Sequence, residues 1–233
     1  MVRWRFLQIA DSAFPTGGFA HSSGLEAAIH HGRAKTAEGL DDYAREHLWN
    51  VGHASLPFVA AAFETPDDVW ALDARIDATL TSHVANRASR TQGRTFLATC
   101  ARIFDEPAVL ALAVRSRSSR SSCSAADEPA CAKVTAHLAP VFGASLAALG
   151  ATKDEALGLH LYMALRSVAS AAVRLGVVGP HEAQRLQQRQ ATTLDDVLAA
   201  CADLRPDDAA LVCPLLEIMG ATHDRLYARL FQS

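Results

Sequence analysis

The chain is predicted to be all-α, and three observations carry that expectation. Apolar residues recur at three- and four-residue intervals over most of its length; helix boundaries are marked by capping residues, prolines and glycines; and no alternating β-branched run is long enough for a sheet strand. With 233 residues, 50% of them apolar, the chain can bury a full core as one domain over 1–233. It reads as a globular helical bundle of roughly eight to ten helices.

The first helix gives way to a stretch dense in turn chemistry, DSAFPTGGFAHSSGLEAAI from Asp11 to Ile29. Pro15, Gly17 and Gly18 interrupt it, and Ser23 with Glu26 has the Ser-x-x-Glu spacing of a capping box that would open the next helix. The glycines raise the question of a phosphate cradle. A P-loop needs Lys and then Ser or Thr after its second glycine, and no lysine precedes Lys35. No serine here has the flanking glycines of a nucleophile elbow.

From Leu40 the positions Leu40, Tyr43, Ala44, Leu48 and Val51 follow the helical period until Pro57 kinks or ends the run. Thr65 as N-cap with Pro66 at the first helical position opens the next helix, whose buried face is Val69, Leu72, Ile76 and Leu80. In RASRTQGRTFLATCARIF, Arg87, Arg90 and Arg94 share one helix face, either as a solvated surface or as a basic ridge for an acidic partner. The run RSRSSRSSCSAADEP has too few apolar residues to offset its ordering entropy, so a mobile loop is expected over 115–131. Its Arg-Ser alternation is too short to argue for a kinase or RNA.

Thr152 and Glu155 form a second capping box. The helix it opens, within ALGLHLYMALRSVASAAVRLGVVGP, is apolar or small on nearly every face, as a central helix is. Gly176 and Gly179-Pro180 end it and restart the chain, and further helices are expected at His181–Gln190 and Leu194–Leu204, the latter opened by Thr193. In the closing HDRLYARLFQS, Leu226, Tyr227, Leu230 and Phe231 recur at helical spacing. That pattern fits an amphipathic last helix packed on its own chain as well as an interface for a partner.

A formal net charge of -3 supplies no basic field for nucleic acid. The N-terminal MVRWRFLQIADS is too short an apolar run for a signal peptide, and the most hydrophobic stretch, Ala156–Leu175, contains His160, Arg166 and Arg174; no membrane span is expected. Five cysteines without a C-x-x-C pair suggest reduced thiols in a cytoplasmic protein, with Cys100 and Cys201 on apolar helix faces. The ten histidines are poorly spaced for chelation, so no metal site within one chain and no cofactor is expected.

The opening LQIADSAFPTGGFAHSSGLEAAI, the central RTQGRTFL, the later HLAPVFG, the long ALRSVASAAVRLGVVGP and the closing PLLEIMGATHDRLYARLFQS resemble, in order and spacing, the urease accessory protein UreF family over nearly the whole chain. The resemblance implies a non-enzymatic chaperone of nickel insertion: a homodimer that binds UreD (also called UreH) and recruits the GTPase UreG. The complex would deliver nickel to apo-urease, assemble its metallocentre and promote its lysine carbamylation. The resemblance carries partner binding onto Pro15, Gly17, Gly18, Phe19, His21, Ser22, Gly24 and Glu26. The basic face of Arg87, Arg90 and Arg94 is a further candidate. In a partner-binding tail over 214–233, the candidates are His223, Leu226, Tyr227, Arg229, Leu230, Phe231 and Ser233.

Ser23 departs from the family pattern, where an aromatic often stands, and so does the Arg/Ser-rich stretch. Two other readings remain. One is a GTPase-activating protein for UreG with an arginine finger from Arg87, Arg90 or Arg94. The other is an all-α hydrolase with His21 as base and Ser22 or Ser23 as nucleophile. The latter is weakened because neighbouring residues rarely present a base to one another and no acidic orienter is identifiable.

Overall fold

The computed structural model describes residues 3–121 and 134–233. Its α-helices are α1 (Trp4–Ala10), α2 (Leu25–His30), α3 (Ala37–Ala54), α4 (Leu56–Glu64), α5 (Val69–Thr79), α6 (His83–Ile103), α7 (Pro107–Ser121), α8 (Leu138–Ala148), α9 (Lys153–Arg174), α10 (Pro180–Arg189), α11 (Ala191–Cys201) and α12 (Pro214–Ala221). Short 3₁₀ turns occupy Gly18–Ala20, Pro66–Asp68 and His223–Arg225. No strand occurs among the described residues. The class is all-α, with more helices than the eight to ten expected, because several long periodic runs are broken into shorter pieces.

Local signals account for many boundaries. Thr152 and Glu155 form the full reciprocal capping box at the start of α9. Pro57 sits in the first turn of α4, so the long run from Leu40 breaks at Ser55. Pro180 opens α10 after Gly179. Other signals are overruled. Ser23 has a positive φ of 56°, and Gly24 stands at the N-cap of α2 without a side-chain cap. The Ser23–Glu26 capping box therefore does not form; the Glu26 N–H is approached instead by the Ser22 hydroxyl. The Thr65 hydroxyl donates back to the Ala61 carbonyl, and a 3₁₀ turn intervenes before α5. Thr193 lies inside α11, which begins at Ala191. Helix α7 runs to Ser121, into the stretch expected to be a loop; positions 122–133, with Cys123 and Cys131, lie outside the described residues.

Helix α8 is the most enclosed element, buried from Ala139 through Leu146, and it packs on α4 and α6. These close approaches depend on two glycines. A Cβ on Gly93 of α6 would overlap the Ala136 carbonyl oxygen, and one on Gly143 of α8 would overlap the Val59 carbonyl oxygen of α4. The segment leading into α8 is fixed by Asp73, 1% exposed. Its carboxylate accepts the N–H groups of Thr135 (2.8 Å), Ala136 (3.0 Å) and His137 (2.6 Å) and the Thr135 hydroxyl (2.9 Å). A buried carboxylate so surrounded has its desolvation offset by hydrogen bonds.

Helix α9 is the one described helix long and apolar enough to cross a bilayer by length and composition. Here α3, α4, α8, α10 and α11 pack around it, which makes it a core helix. Aromatic rings continue the core from the opening turn inward: between ring centroids, Phe14 lies 6.4 Å from Phe96, Phe96 5.0 Å from Phe142, and Phe142 5.2 Å from His160 in an edge-to-face pair. Cys100 and Cys201 are buried as expected, and burial pushes the Cys100 thiol up to about 12.

Candidate functional site: the turn and the tail

The opening turn is tied to its scaffold on several sides. The Thr99 hydroxyl of α6 donates to the Pro15 carbonyl (2.8 Å), the Tyr43 hydroxyl of α3 donates to the Ser23 carbonyl (2.6 Å), and Arg174 of α9 donates to the Phe19 carbonyl. Gly17 and Gly24 have φ of 77° and 83°, left-handed backbone that favours glycine.

Against this turn lies the C-terminal tail, and here the helical spacing misleads: residues 226–233 are not helical. The bent, non-helical tail runs back over the turn. The Ser22 N–H donates to the Ser233 main-chain oxygen (2.6 Å), and the Gln232 N–H to the Ala20 carbonyl (2.8 Å). The Ser22 hydroxyl also reaches Ser233 O (3.0 Å), and the His21 Nδ1 is hydrogen-bonded to the Ser233 hydroxyl. Glu26 accepts the Leu230 N–H on Oε1 (2.6 Å) and the Phe231 N–H on Oε2 (3.1 Å). The buried His223 donates to the same Oε2 (2.8 Å). Burial, with Arg87 and His223 nearby, lowers the His21 pKa and favours a neutral ring.

The side chains divide into two sets. Phe231 is 5% exposed, and the Arg174 guanidinium lies between its ring and that of Phe19, 4.2 and 3.7 Å from the centroids. Phe19, Tyr227 and Leu230 remain largely exposed. His21, Ser22, His223 and Ser233 are buried, so these four sequence candidates contact their own chain. Leu226 is half-buried, and Pro15 and Arg229 are exposed. Behind the turn is a cavity of about 360 Å³, with His21, His47, Phe142, His160, Glu217 and Phe231 among its lining. Among the described residues no group of three or more His, Cys, Asp or Glu side chains could hold a metal ion.

The arginine face is engaged within the chain. Arg87 forms a two-pronged pair with Asp224 (3.0 and 2.8 Å), which Arg229 (3.1 Å) and His83 (3.1 Å) join. The Arg87 hydrogen bonds hold the Asp224 carboxyl below its ordinary range. Arg90 donates to Asn86 and lies 4.0 Å from Asp77, and Arg94 donates to the Arg90 carbonyl. Arg87 is tied to Asp224 of its own tail segment while its side chain stays 48% exposed, so a finger at this position would have to leave that pair. The hydrolase reading loses its geometry, since the His21 ring is bonded to Ser233 and not to Ser22 or Ser23. A Ser89–His137–Asp77 chain of hydrogen bonds (3.0 and 2.9 Å) does occur, but the Ser89 hydroxyl also accepts the Leu138 N–H at the start of α8, which makes it a packing tie.

The signature segments thus meet in pairs: opening turn with closing tail, and RTQGRTFL of α6 with HLAPVFG of α8. A family model described as UreF matches residues 34–191. The chain belongs to the UreF family. The model match stops short of both the turn and the tail, but full-length relatives of UreF type include them. The urease accessory protein F of Arabidopsis thaliana is 35% identical over 235 residues, covering 100% of this chain and 93% of the relative. That of Oryza sativa subsp. japonica is 32% identical over 98% of this chain and 84% of the relative. The urease accessory protein UreF of Paenarthrobacter aurescens is 30% identical over 97% and 96%.

Sequence reasoning missed Asp73, Asp224 and the use of Glu26. Each carboxylate has a partner far along the chain, Thr135 for Asp73, Arg87 for Asp224 and Leu230 for Glu26, and no local pattern marks these pairings.

Proposed function

We propose that this UreF-family chain is a non-enzymatic accessory protein of urease maturation. Its turn-and-tail face docks UreD (UreH), and the resulting complex recruits the GTPase UreG for nickel delivery to apo-urease. The observation that carries this reading is the joining of the two end motifs into one surface. A buried polar clamp fixes their backbones, while Phe19, Tyr227 and Leu230 are left exposed around it. Large side chains exposed on a rigid support are the usual anchors of an interface. The relatives' names as urease accessory proteins supply the process.

Self-association is part of the same reading. Helix α1 leaves Trp4 and Leu7 73% and 57% exposed where it packs on α9, whose Tyr162 is also partly exposed. A second copy would cover this patch. The test is co-expression with candidate UreD and UreG proteins, followed by gel filtration with light scattering. The intact chain should co-elute with UreD as a complex containing two copies, and UreG should join only that complex. Tyr227→Ala combined with Leu230→Ser should lose UreD, and Leu7→Asp should yield a monomer. A chain that remains monomeric across the micromolar range and captures neither protein would overturn the reading.

A further inference from the structure

We propose that the cavity behind the opening turn is a binding site for a small neutral aromatic molecule whose single hydroxyl or N–H group pairs with the His160 imidazole. The residues that build the site stand on α3, α6, α8 and α9, none of them on the tail.

Protein interiors are close-packed, so a space of about 360 Å³ among these helices needs a cause. Small side chains supply it: Ala54 of α3, Ala88 of α6, and Ala164 and Ser167 of α9 all line the cavity. An apolar cavity of about 150 Å³ stays dry and takes up benzene, so this one has room for one ring or two. Its walls suit a flat ring. Phe142 meets His160 edge to face at 5.2 Å between centroids, and Met163 lines the same space, where a thioether packs favourably on an aromatic ring.

Two imidazoles make up the polar part of the wall. His160 is 7% exposed, His47 stacks on Tyr43, and both line the cavity. Among the described residues neither ring has a hydrogen-bond partner, although buried polar groups are ordinarily paired. Burial lowers both pKa values to about 4, so near neutral pH each ring is uncharged and offers one N–H donor and one nitrogen acceptor. A phenolic hydroxyl, which both donates and accepts, satisfies such a ring, and an indole N–H satisfies its acceptor. The two arginines on the wall are directed to the opening turn instead, Arg166 donating to the Ala10 carbonyl and Arg174 to the Phe19 carbonyl. A charged molecule would lose its hydration against Phe142 and the apolar wall, which makes the occupant neutral.

The test titrates the intact chain with phenol and, as the apolar control, with benzene, by calorimetry and by the ring ¹⁵N signals of histidine-labelled protein. Phenol should bind saturably and more tightly than benzene. It should also shift the His160 ring signal, identified by its loss in His160→Gln. His160→Phe keeps a ring in place and removes the polar partner. Phenol should then bind about threefold to tenfold more weakly, the factor for one hydrogen bond, with benzene as tight as before or tighter. Should His160→Phe not fold, judged by its urea midpoint and helical circular dichroism, His160→Gln shortens the reach of the polar group and should show the same loss in smaller measure. Ser167→Leu, which fills the space, should exclude both probes. No saturable binding of phenol to the intact chain means a cavity filled by water alone and overturns the proposal. Phenol affinity unchanged in whichever His160 variant folds overturns it too, as does equal weakening of phenol and benzene.

Discussion

At the scale of single residues, the two glycines between α4, α6 and α8 are points where no side chain fits. Replacing Gly93 by alanine forces a Cβ into the Ala136 carbonyl, and backbone cannot yield as a flexible side chain does. Overpacking of this kind costs about 1–3 kcal/mol, so Gly93→Ala should lower the urea midpoint at unchanged slope. Gly158 is the contrasting case. It lies inside α9 with nothing within 4 Å of a Cβ built there, and alanine in a helix interior is favoured by roughly 0.5–1 kcal/mol. Gly158→Ala should raise the same midpoint; equal behaviour of the two variants would refute the packing assignment. Neither outcome is legible in sequence, where both are single glycines within helical patterns. The Thr152–Glu155 box is legible because both halves lie within one turn, whereas Glu26 bonds a residue 204 positions away.

At the scale of elements, the tail is both a strap across the turn and a candidate interface, and the two roles predict a shared loss. Phe231 is buried against its own chain, so removing Arg229–Ser233 forfeits that burial, about 1.5–3 kcal/mol, together with the bonds to Ser22, Ala20 and Glu26. For a chain of this size each kcal/mol shifts the melting midpoint by roughly 2–4 °C. The truncated protein should melt several degrees earlier, by calorimetry, as well as losing UreD. An unchanged melting point would mean that the tail is open in solution. Apolar spacing alone predicts a helix here. The observed non-helical path arises because the turn and Glu26 offer the tail's main-chain groups partners that an isolated terminal helix would lack at its ends.

For the whole molecule, the buried histidines set a pH limit. Burial lowers the pKa of both His47 and His160 to about 4 from an ordinary 6.5. The unfolded chain therefore binds protons at these sites below 6.5 while the folded chain refuses them until about 4. Their contribution is complete above 6.5 and is lost as the pH falls from 6.5 toward 4, on the order of 2–3 kcal/mol for each group. Urea midpoints should decline over that window, and His160→Gln should flatten the slope in part, since His47, His21 and His137 are depressed as well; an undiminished slope would place the loss elsewhere. By itself the sequence determined the all-α class, the α9 capping box, the break at Pro57 and the central helix, because periodicity and caps act within a few residues. Only the tertiary structure decided that the two end motifs form one clamp, that Arg87 pairs with Asp224 and that Phe231 faces inward. The first two join groups more than a hundred residues apart and the third packs Phe231 against Arg174 of α9, and burial and hydrogen bonding at such range depend on the closed chain as a whole.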